Sequence, residues 1–514
     1  MSITDKLKRY KGKNIHIVGI GGAEGSAIAE FLVMNGIFSI TGHDFSSKSD
    51  FKKSFYNTHL SLKPKEREEA LNHLLNLPIR INFKDHYLEE IEKADVIFVS
   101  QVWFKYPQNM PTLARLKDSG VLFKTITNLY FELAPCPIIS VTGTNGKTTT
   151  SRLINSIFKV WEKKNGKSKV YFAGNDRQNI QVLDKLDEMT KGDVLILETS
   201  STQLLLNDGI SPYIGIITNI TPNHIDDHGS FENYIEAKKN LIRCQKKGDI
   251  TVLNYDNPVT RKIAAEIESG RKSKLEGPSL FLYSAKRELE QGCFVRDKNI
   301  IAKRGNKETI LLSVDGIKIP GAHNLQNVLA AASAAFVYGI DAEIIRKGVS
   351  NYTGTKHRLR LLYNIDGVKY YDDTQATTPE ATIAGIESFD EDIILLAGGD
   401  NKGMKYERLA KKINDKVKFL ILFGGSASCE IEKFVDKSKV GFRKVDNFSQ
   451  AADFLKKYLR NKKTTGVALG TKHLGVVLIS PGAAHFYSKF VENSGKDLKG
   501  WIRDIALSCR QQGA

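Results

Sequence analysis

The run Ile138–Thr142 is apolar and β-branched, and it passes through Gly143-Thr144-Asn145-Gly146-Lys147-Thr148-Thr149-Thr150 into an amphipathic stretch. A strand that opens through glycines directly into a helix is the signature of an α/β domain built on a parallel sheet. Glycines let the backbone curl so that its N–H groups face a phosphate, and the helix N-terminus adds a favourable dipole. In such a loop Lys147 reaches the β- and γ-phosphates, and a hydroxyl from Thr148 or Thr149 holds Mg²⁺. The general phosphate-loop pattern has a glycine five residues before the Gly-Lys pair, where this chain has Val141. By that pattern alone, a glycine-rich turn with an exposed lysine remains the plain alternative.

Apolar strand-like runs alternate with amphipathic stretches over the whole chain. At 514 residues it is too long for one core, and two to four domains are expected. Asn14–Gly19 reads as a first strand, followed by glycines and a helix over Ser26–Asn35. Ser39–Thr41 with Asp44 reads as a second strand and its end, and Asp95–Ser100 as a later one. The polar stretch from Lys48 to Asn82, with a helix over Arg67–Leu77, reads as an insertion. Prolines 135 and 137 mark a boundary before the phosphate loop. Strands are expected at Val194–Leu197 and Ile214–Thr218, then short strands and turns from Glu266 to Pro320, then a helix over Asn324–Tyr338. A second boundary falls near Tyr352–Thr355. Beyond it Lys369–Asp372, Ile393–Ala397, Phe419–Phe423 and Val476–Ile479 read as strands of a further α/β unit. The expectation is three α/β domains, at 1–135, 136–353 and 354–514.

Composition narrows the functional classes. Hydrophobic residues make up 41% and charged residues 26%, as in soluble globular proteins. No apolar run is long enough to span a membrane, and Met1–Tyr10 lacks the apolar block of a secretory signal. The five cysteines are scattered and form no CxxC pair, which points to a reducing cytoplasm rather than a disulfide framework or a zinc site. The formal charge of +17 favours anionic partners. Lysines and arginines are spread along the chain without interleaved aromatics, so small phosphorylated ligands, or simply a lysine-rich surface, explain the charge better than nucleic acid.

Two further segments sit at strand ends, where ligands bind in open α/β sheets. Glu198-Thr-Ser-Ser-Thr-Gln203 follows one strand, and Asn219-Ile-Thr-Pro-Asn-His224-Ile-Asp226 follows another. Glu198 and His224 are of the types that share a Mg²⁺ or Mn²⁺ ion. A histidine in such a loop is otherwise most often an ordinary surface residue.

Together these motifs resemble the Mur ligases, and the loop alone is also similar to that of the folylpolyglutamate synthetases. The resemblance covers nearly the whole chain apart from the insertion and the first dozen residues. It implies an N-terminal Rossmann-like domain for a UDP precursor, a central P-loop ATPase-like domain and a C-terminal Rossmann-like α/β domain. Gly143, Thr144, Asn145, Gly146, Lys147, Thr148 and Thr149 would bind ATP. His224 would sit on magnesium with Glu198 and Thr148. The pattern Tyr234-Ile-Glu-Ala-Lys238 implies a carbamylated lysine at Lys238 bridging two magnesium sites, with Lys239 as the alternative register. Lys147, Lys238 and His224 are thus the expected catalytic groups.

The same resemblance implies adenine contacts for Asn324 and Asn327, although capping of the following helix is a competing role for Asn324. Arg358, of the pair His357-Arg358, would meet phosphate. Asp373, in Asp372-Asp373-Thr-Gln375-Ala-Thr-Thr-Pro-Glu380-Ala, would hold ribose, with Gln375 where many members have lysine. Gly21, Gly22, Asp44 and Asn175 would meet the UDP precursor. Gly19-Ile-Gly21-Gly22-Ala-Glu24 also passes for a dinucleotide fingerprint, but Glu24 takes the place of its third glycine. Lys402, in Gly398-Gly399-Asp400-Asn401-Lys402, would pair with the carboxylate of the incoming amino acid. His485 stands where D-glutamate-adding members have a serine.

The implied reaction is ATP-dependent addition of D-glutamate to UDP-N-acetylmuramoyl-L-alanine through an acyl phosphate, in peptidoglycan synthesis. The expected partners are that nucleotide precursor and an acidic amino acid, with no nucleic acid and no membrane span, acting on a monomer. The first-domain string IHIVGIGG is more similar to the L-alanine-adding member. Addition of L-alanine or L-glutamate, or a nucleotide-regulated binding protein without catalysis, are the alternatives.

Overall fold

The computed structural model describes residues 3–100, 103, 106–175, 180–207, 209–223, 225–272, 277–365, 367–401, 403–464, 475–491 and 498–503. Among the described residues the strands form three sheets, one in each of the three expected regions.

The first sheet contains β1 (Ile15–Val18), β2 (Ile40–His43), β3 (Arg80–Asn82), β4 (Val96–Val99) and β5 (Leu122–Lys124), in the order β3-β2-β1-β4-β5. All its pairings are parallel. The strand order reverses between β1 and β4, so the glycine loop after β1 opens at the switch point of the sheet, the place where ligands bind in open α/β sheets generally. The stretch from Lys48 to Asn82, read as inserted, supplies the crossover from β2 to β3. Its helices Phe51–Thr58 and Pro64–Leu75 bury Phe51, Phe55, Leu71 and Leu74 in the shared core, and its end pairs with β2.

The second sheet has the order β14-β13-β12-β11-β10-β9-β6-β8-β7. Its strands are β6 (Ile138–Thr142), β7 (Val170–Gly174), β8 (Val194–Glu198), β9 (Ile214–Ile217), β10 (Ile250–Asn254), β11 (Ser279–Ser284), β12 (Gly292–Arg296), β13 (Asn299–Arg304) and β14 (Lys307–Ser313). From β7 to β12 the pairing is parallel, and β13 and β14 add an antiparallel edge. Strands β6, β8, β9 and β10 are buried along their whole length, which is why each reads as a continuous apolar run rather than an alternating one. The texture of short strands begins later than expected, because the helix Pro258–Lys272 runs on past Glu266.

These two sheets lie in one compact unit, Met1–Val314 with Gln326–Val349. One continuous core joins them, with Leu129 and Tyr130 from the first region and Leu204, Ile217 and Tyr234 from the second. The other unit is Asp315–Leu325 with Ser350–Ala514. Its sheet has the order β15-β16-β20-β17-β18-β19, built from β15 (Arg360–Ile365), β16 (Val368–Asp372), β17 (Ile393–Ala397), β18 (Val417–Phe423), β19 (Gly441–Val445) and β20 (Gly475–Ile479). Only β15 is antiparallel to its neighbour. No helix among the described residues is long and apolar enough to cross a membrane. Cys136 and Cys293 are buried, and burial pushes both thiols up to about 12.

Candidate active site

The phosphate loop lies where β6 ends. Gly146, at φ +83°, is the left-handed N-cap of the helix Lys147–Asn165, a conformation that glycine adopts without strain. A Cβ added at Gly143 would run into Thr218 Oγ1, and one at Gly146 into Asn327 Oδ1. Only glycine fits at either place. The loop is laced to the end of β9: Thr144 N donates to Asn219 O (2.8 Å), Asn145 N to Asn219 Oδ1 (3.0 Å), and Thr218 Oγ1 to Asn145 O (2.7 Å). Its shape is therefore set before any ligand arrives.

Two lysines meet at this loop. Lys147 Nζ donates to Gly143 O and Thr144 O, both at 3.0 Å, and Lys238 Nζ donates to the same Gly143 O at 2.9 Å. Lys238 is 1% exposed and lies over the Tyr234 ring, 4.5 Å from its centroid. Burial, reinforced by the Lys147 ammonium, holds its amine well below the usual lysine range. The next residue points the other way. Lys239 pairs with Glu236 (3.0 Å) and Glu266 (2.9 Å), both partly exposed. Successive residues on a helix diverge by about 100°, so only one of the two reaches the loop.

Glu198, the last residue of β8, is 2% exposed. The strand beside it is fixed through Thr199, whose N–H donates to Val141 O (2.9 Å) and whose carbonyl accepts from Thr142 Oγ1 (2.9 Å). Thr148 and Thr149 open the helix that starts at Lys147. A carboxylate and hydroxyls are the hard oxygen donors that suit Mg²⁺, which takes few protein ligands and completes its shell with phosphate and water. Among the described residues no three His, Cys, Asp or Glu side chains gather at one point. His224 lies outside the described residues. His228, which no motif singled out, is buried, with its Nε2 3.1 Å from Ser201 Oγ and its ring against Tyr234.

Asn327 turns its Oδ1 toward the loop, accepting from Thr150 Oγ1 at 3.3 Å. Asn324 is buried, and its side-chain amide donates to Pro320 O (2.6 Å) at the start of the helix Ala322–Tyr338. In the first sheet Gly21 and Asp44 come together, Gly21 N donating to Asp44 Oδ2 (3.2 Å), while Asp44 Oδ1 accepts from Ser46 N and Oγ. Gly22 N turns back onto Gly19 O (3.0 Å). Asn175 follows β7 in the second sheet, with its N–H on Glu198 O (2.8 Å).

In the other unit, Asp373 accepts from Leu359 N (3.0 Å) and Ser480 Oγ (2.7 Å). Burial pushes its carboxyl up to about 7. Arg358 is exposed between two residues with left-handed backbone, His357 (φ 65°) and Leu359 (φ 45°). His357 is held by Asp372, 2.9 Å from its Nδ1. His485 is exposed, next to Phe486, which is buried against Phe423. Its Nδ1 is 3.1 Å from Asp400 Oδ2, and Lys489 Nζ donates to Asp400 Oδ1 at 2.8 Å. Lys489, then His485, holds the Asp400 carboxyl below its usual range. Asp400 and Lys489 carried no expected role, since nothing in the chain order pairs positions so far apart. Lys402 lies outside the described residues.

The glycine cradle is pre-shaped by its own strand ends, and two lysine side chains donate to one of its carbonyls. Residues 141–335 match the Mur ligase middle domain. The UDP-N-acetylmuramoylalanine--D-glutamate ligase of Acetivibrio thermocellus is 32% identical over 506 residues, spanning 98% of this chain and 99% of that protein. The enzyme of the same name from Symbiobacterium thermophilum is 33% identical over 445 residues, 85% of this chain and 90% of the other. The fold is similar to that of the UDP-N-acetylmuramate-alanine ligase of Thermotoga maritima, with a TM-score of 0.53 at 18% identity over 94% of this chain and 99% of that one. Similarity that runs end to end at this level means that the chain belongs to the Mur ligase family.

Proposed function

We propose that the chain is an ATP-dependent acid–amino-acid ligase that adds D-glutamate to UDP-N-acetylmuramoyl-L-alanine, releasing ADP and phosphate, in peptidoglycan precursor synthesis. The observation that carries this reading is the meeting of Lys147 and Lys238 on Gly143 O at the mouth of the glycine cradle. Lys147 gives the cradle a fixed cation for a phosphate, Lys238 stands beside it as a buried amine held toward its neutral form, and relatives that match 98% and 85% of the chain bear the name of this ligase.

In the reaction a carboxylate oxygen of the alanyl end attacks the γ-phosphorus of ATP, and the bond to the β,γ-bridging oxygen breaks to release ADP. The amine of D-glutamate then attacks the carbonyl carbon of the acyl phosphate; phosphate leaves and the amine loses a proton. The first step brings two anions together, so stabilising charge is the main task. Lys147 supplies a fixed cation, and the loop N–H groups orient the phosphates. Magnesium, when bound, neutralises phosphate charge, with Glu198, Thr148 and His224 as its protein donors. The lowered pKa of Lys238 keeps more of its amine neutral, the form that takes up CO₂. As a carbamate it is an anion able to serve a second magnesium.

By motif, Asn324 and Asn327 serve adenine, Arg358 a phosphate and Asp373 the ribose. Gly21, Gly22, Asp44 and Asn175 serve the UDP precursor, and Lys402 and His485 the amino acid. The domains run 1–135, 136–353 and 354–514, and the enzyme works as a cytoplasmic monomer. The test is phosphate release from ATP with a panel of UDP-muramoyl acceptors and amino acids, with the mass of the product recorded. Release that needs both UDP-N-acetylmuramoyl-L-alanine and D-glutamate is the expected result, and release with neither, or with another pair alone, contradicts the reading.

A further inference from the structure

Glu24 stands where a dinucleotide fingerprint has its third glycine, and its carboxylate leaves its own loop altogether. It accepts a hydrogen bond from Gln203 Nε2 at 2.7 Å. Gln203 is fully buried, and its amide is held at both ends. Its Oε1 accepts from Ser200 N (2.9 Å) and Ser200 Oγ (3.2 Å), and its backbone N–H returns to Ser200 Oγ (3.2 Å). This is a capping box at the start of the helix Ser201–Leu204. That helix begins three residues after Glu198, the carboxylate at the end of β8.

The far end of the same short segment is held as well. Asn128 Nδ2, from the first region, donates to Leu206 O (3.0 Å). Asn240 Nδ2 donates to Leu204 O (2.9 Å), and Asn207 Nδ2 to Asn240 O (3.2 Å). Asn240 directly follows the helix Phe231–Lys239, which carries Lys238. The segment from Thr199 to Asn207 is thus gripped by the first region at Glu24 and Asn128, and by the Lys238 helix at Asn240. A four-residue helix has little stability of its own, so its place depends on these grips.

We propose that Glu24 is a positioning residue: through Gln203 it links the glycine loop of the first region to the Glu198 end of β8, so that a UDP precursor on that loop tightens the binding of Mg·ATP. The proposal rests on the ligase reading for the identity of the two ligands. The hydrogen bond itself does not depend on that reading. Binding linkage is reciprocal, so the nucleotide must tighten the precursor by the same factor.

The test uses the full-length chain and three variants. Glu24→Gln keeps an acceptor oxygen for Gln203 Nε2. Gln203→Glu keeps the capping box but sets two carboxylates face to face. The double variant restores the bond with donor and acceptor exchanged. Affinity for a non-hydrolysable ATP analogue with Mg²⁺ is measured with and without saturating UDP-N-acetylmuramoyl-L-alanine. The wild-type chain and Glu24→Gln should show a tightening of about tenfold; Gln203→Glu should show none, and the double variant should recover it. Amide hydrogen exchange over residues 199–207, without any ligand, should quicken about tenfold in Gln203→Glu alone.

Coupling or slow exchange that survives in Gln203→Glu overturns the proposal. So does a double variant that behaves like the single one, since a merely structural lesion is not repaired by exchanging donor and acceptor. A precursor that fails to bind the wild-type chain speaks against the ligase reading instead, and the exchange measurement then decides the link by itself.

Discussion

Lys147 and Lys238 share one acceptor: both side-chain nitrogens donate to the carbonyl oxygen of Gly143, at 3.0 and 2.9 Å. Burial and the nearby Lys147 ammonium both disfavour charge on Lys238, so its amine is held toward the neutral form beside a fixed cation. The loop they bond to is also braced by Asn219 and Thr218, so removing either lysine side chain leaves those bonds to hold the cradle.

Lys147→Ala should therefore abolish phosphate release while the unfolding midpoint stays close to that of the wild-type chain. Retention of more than about a tenth of the activity, a loss below about 1.4 kcal/mol, would show that Lys147 is not the phosphate clamp.

For Lys238 the expected outcome separates two neighbours. Lys238→Ala should be nearly inactive and partly rescued by acetate or formate, which stand in for the carbamate. Lys239→Ala removes only ion pairs with the partly exposed Glu236 and Glu266, which contribute little, so it should keep most of its activity. The reverse pattern would put the functional lysine at 239, and two active variants would end the carbamate idea.

The phosphate loop, Glu198 and Lys238 were legible because each sits in a short contiguous string whose geometry follows from a strand end or a helix turn. The motif favours Lys238 over Lys239, but which of the two faces the loop is assigned by tertiary packing, since it turns on a helix face. The stretch Lys48–Asn82 read as an insertion because its polar helices hide four buried residues, Phe51, Phe55, Leu71 and Leu74. Contacts such as Glu24 with Gln203, or Asp400 with His485 and Lys489, join segments remote in sequence. A lone charged residue at any of these positions looks like solvated surface.

Asp373 allows a pH prediction. Burial pushes its carboxyl from 3.8 up to about 7 in the folded chain. Below about pH 4 the group is protonated folded and unfolded alike, and its contribution to stability is fully present. As pH rises the unfolded chain releases the proton first, so stability falls until about pH 7 and then levels off. Asp373→Asn removes that slope. Its unfolding free energy relative to the wild-type chain should rise by about 3 kcal/mol between pH 5 and pH 8, while its KM for ATP worsens. A difference that stays flat with pH would mean that Asp373 ionises normally.

Amino-acid choice is the most exacting test, because the first-region string is similar to that of an L-alanine-adding enzyme. His485 and Lys489 both face Asp400, so the acid balances the two bases and keeps them together at the end of β17. Lys402, two positions after Asp400 in the chain, is the further cation that the motif implies. A dicarboxylic amino acid gains a charge-assisted bond from such a cluster that alanine cannot make, and bonds of that kind contribute about 1.5–3 kcal/mol. D-Glutamate should accordingly be ligated and L-alanine should not. Lys402→Ala and His485→Ala should each raise the KM for D-glutamate at least about tenfold, with the KM for ATP held within about a factor of two. If ATP and D-glutamate suffer equally, the lesion is a general one and these residues do not read the amino acid. If L-alanine is ligated well while D-glutamate and L-glutamate are both inert, the loop around Gly21 is the truer guide to specificity.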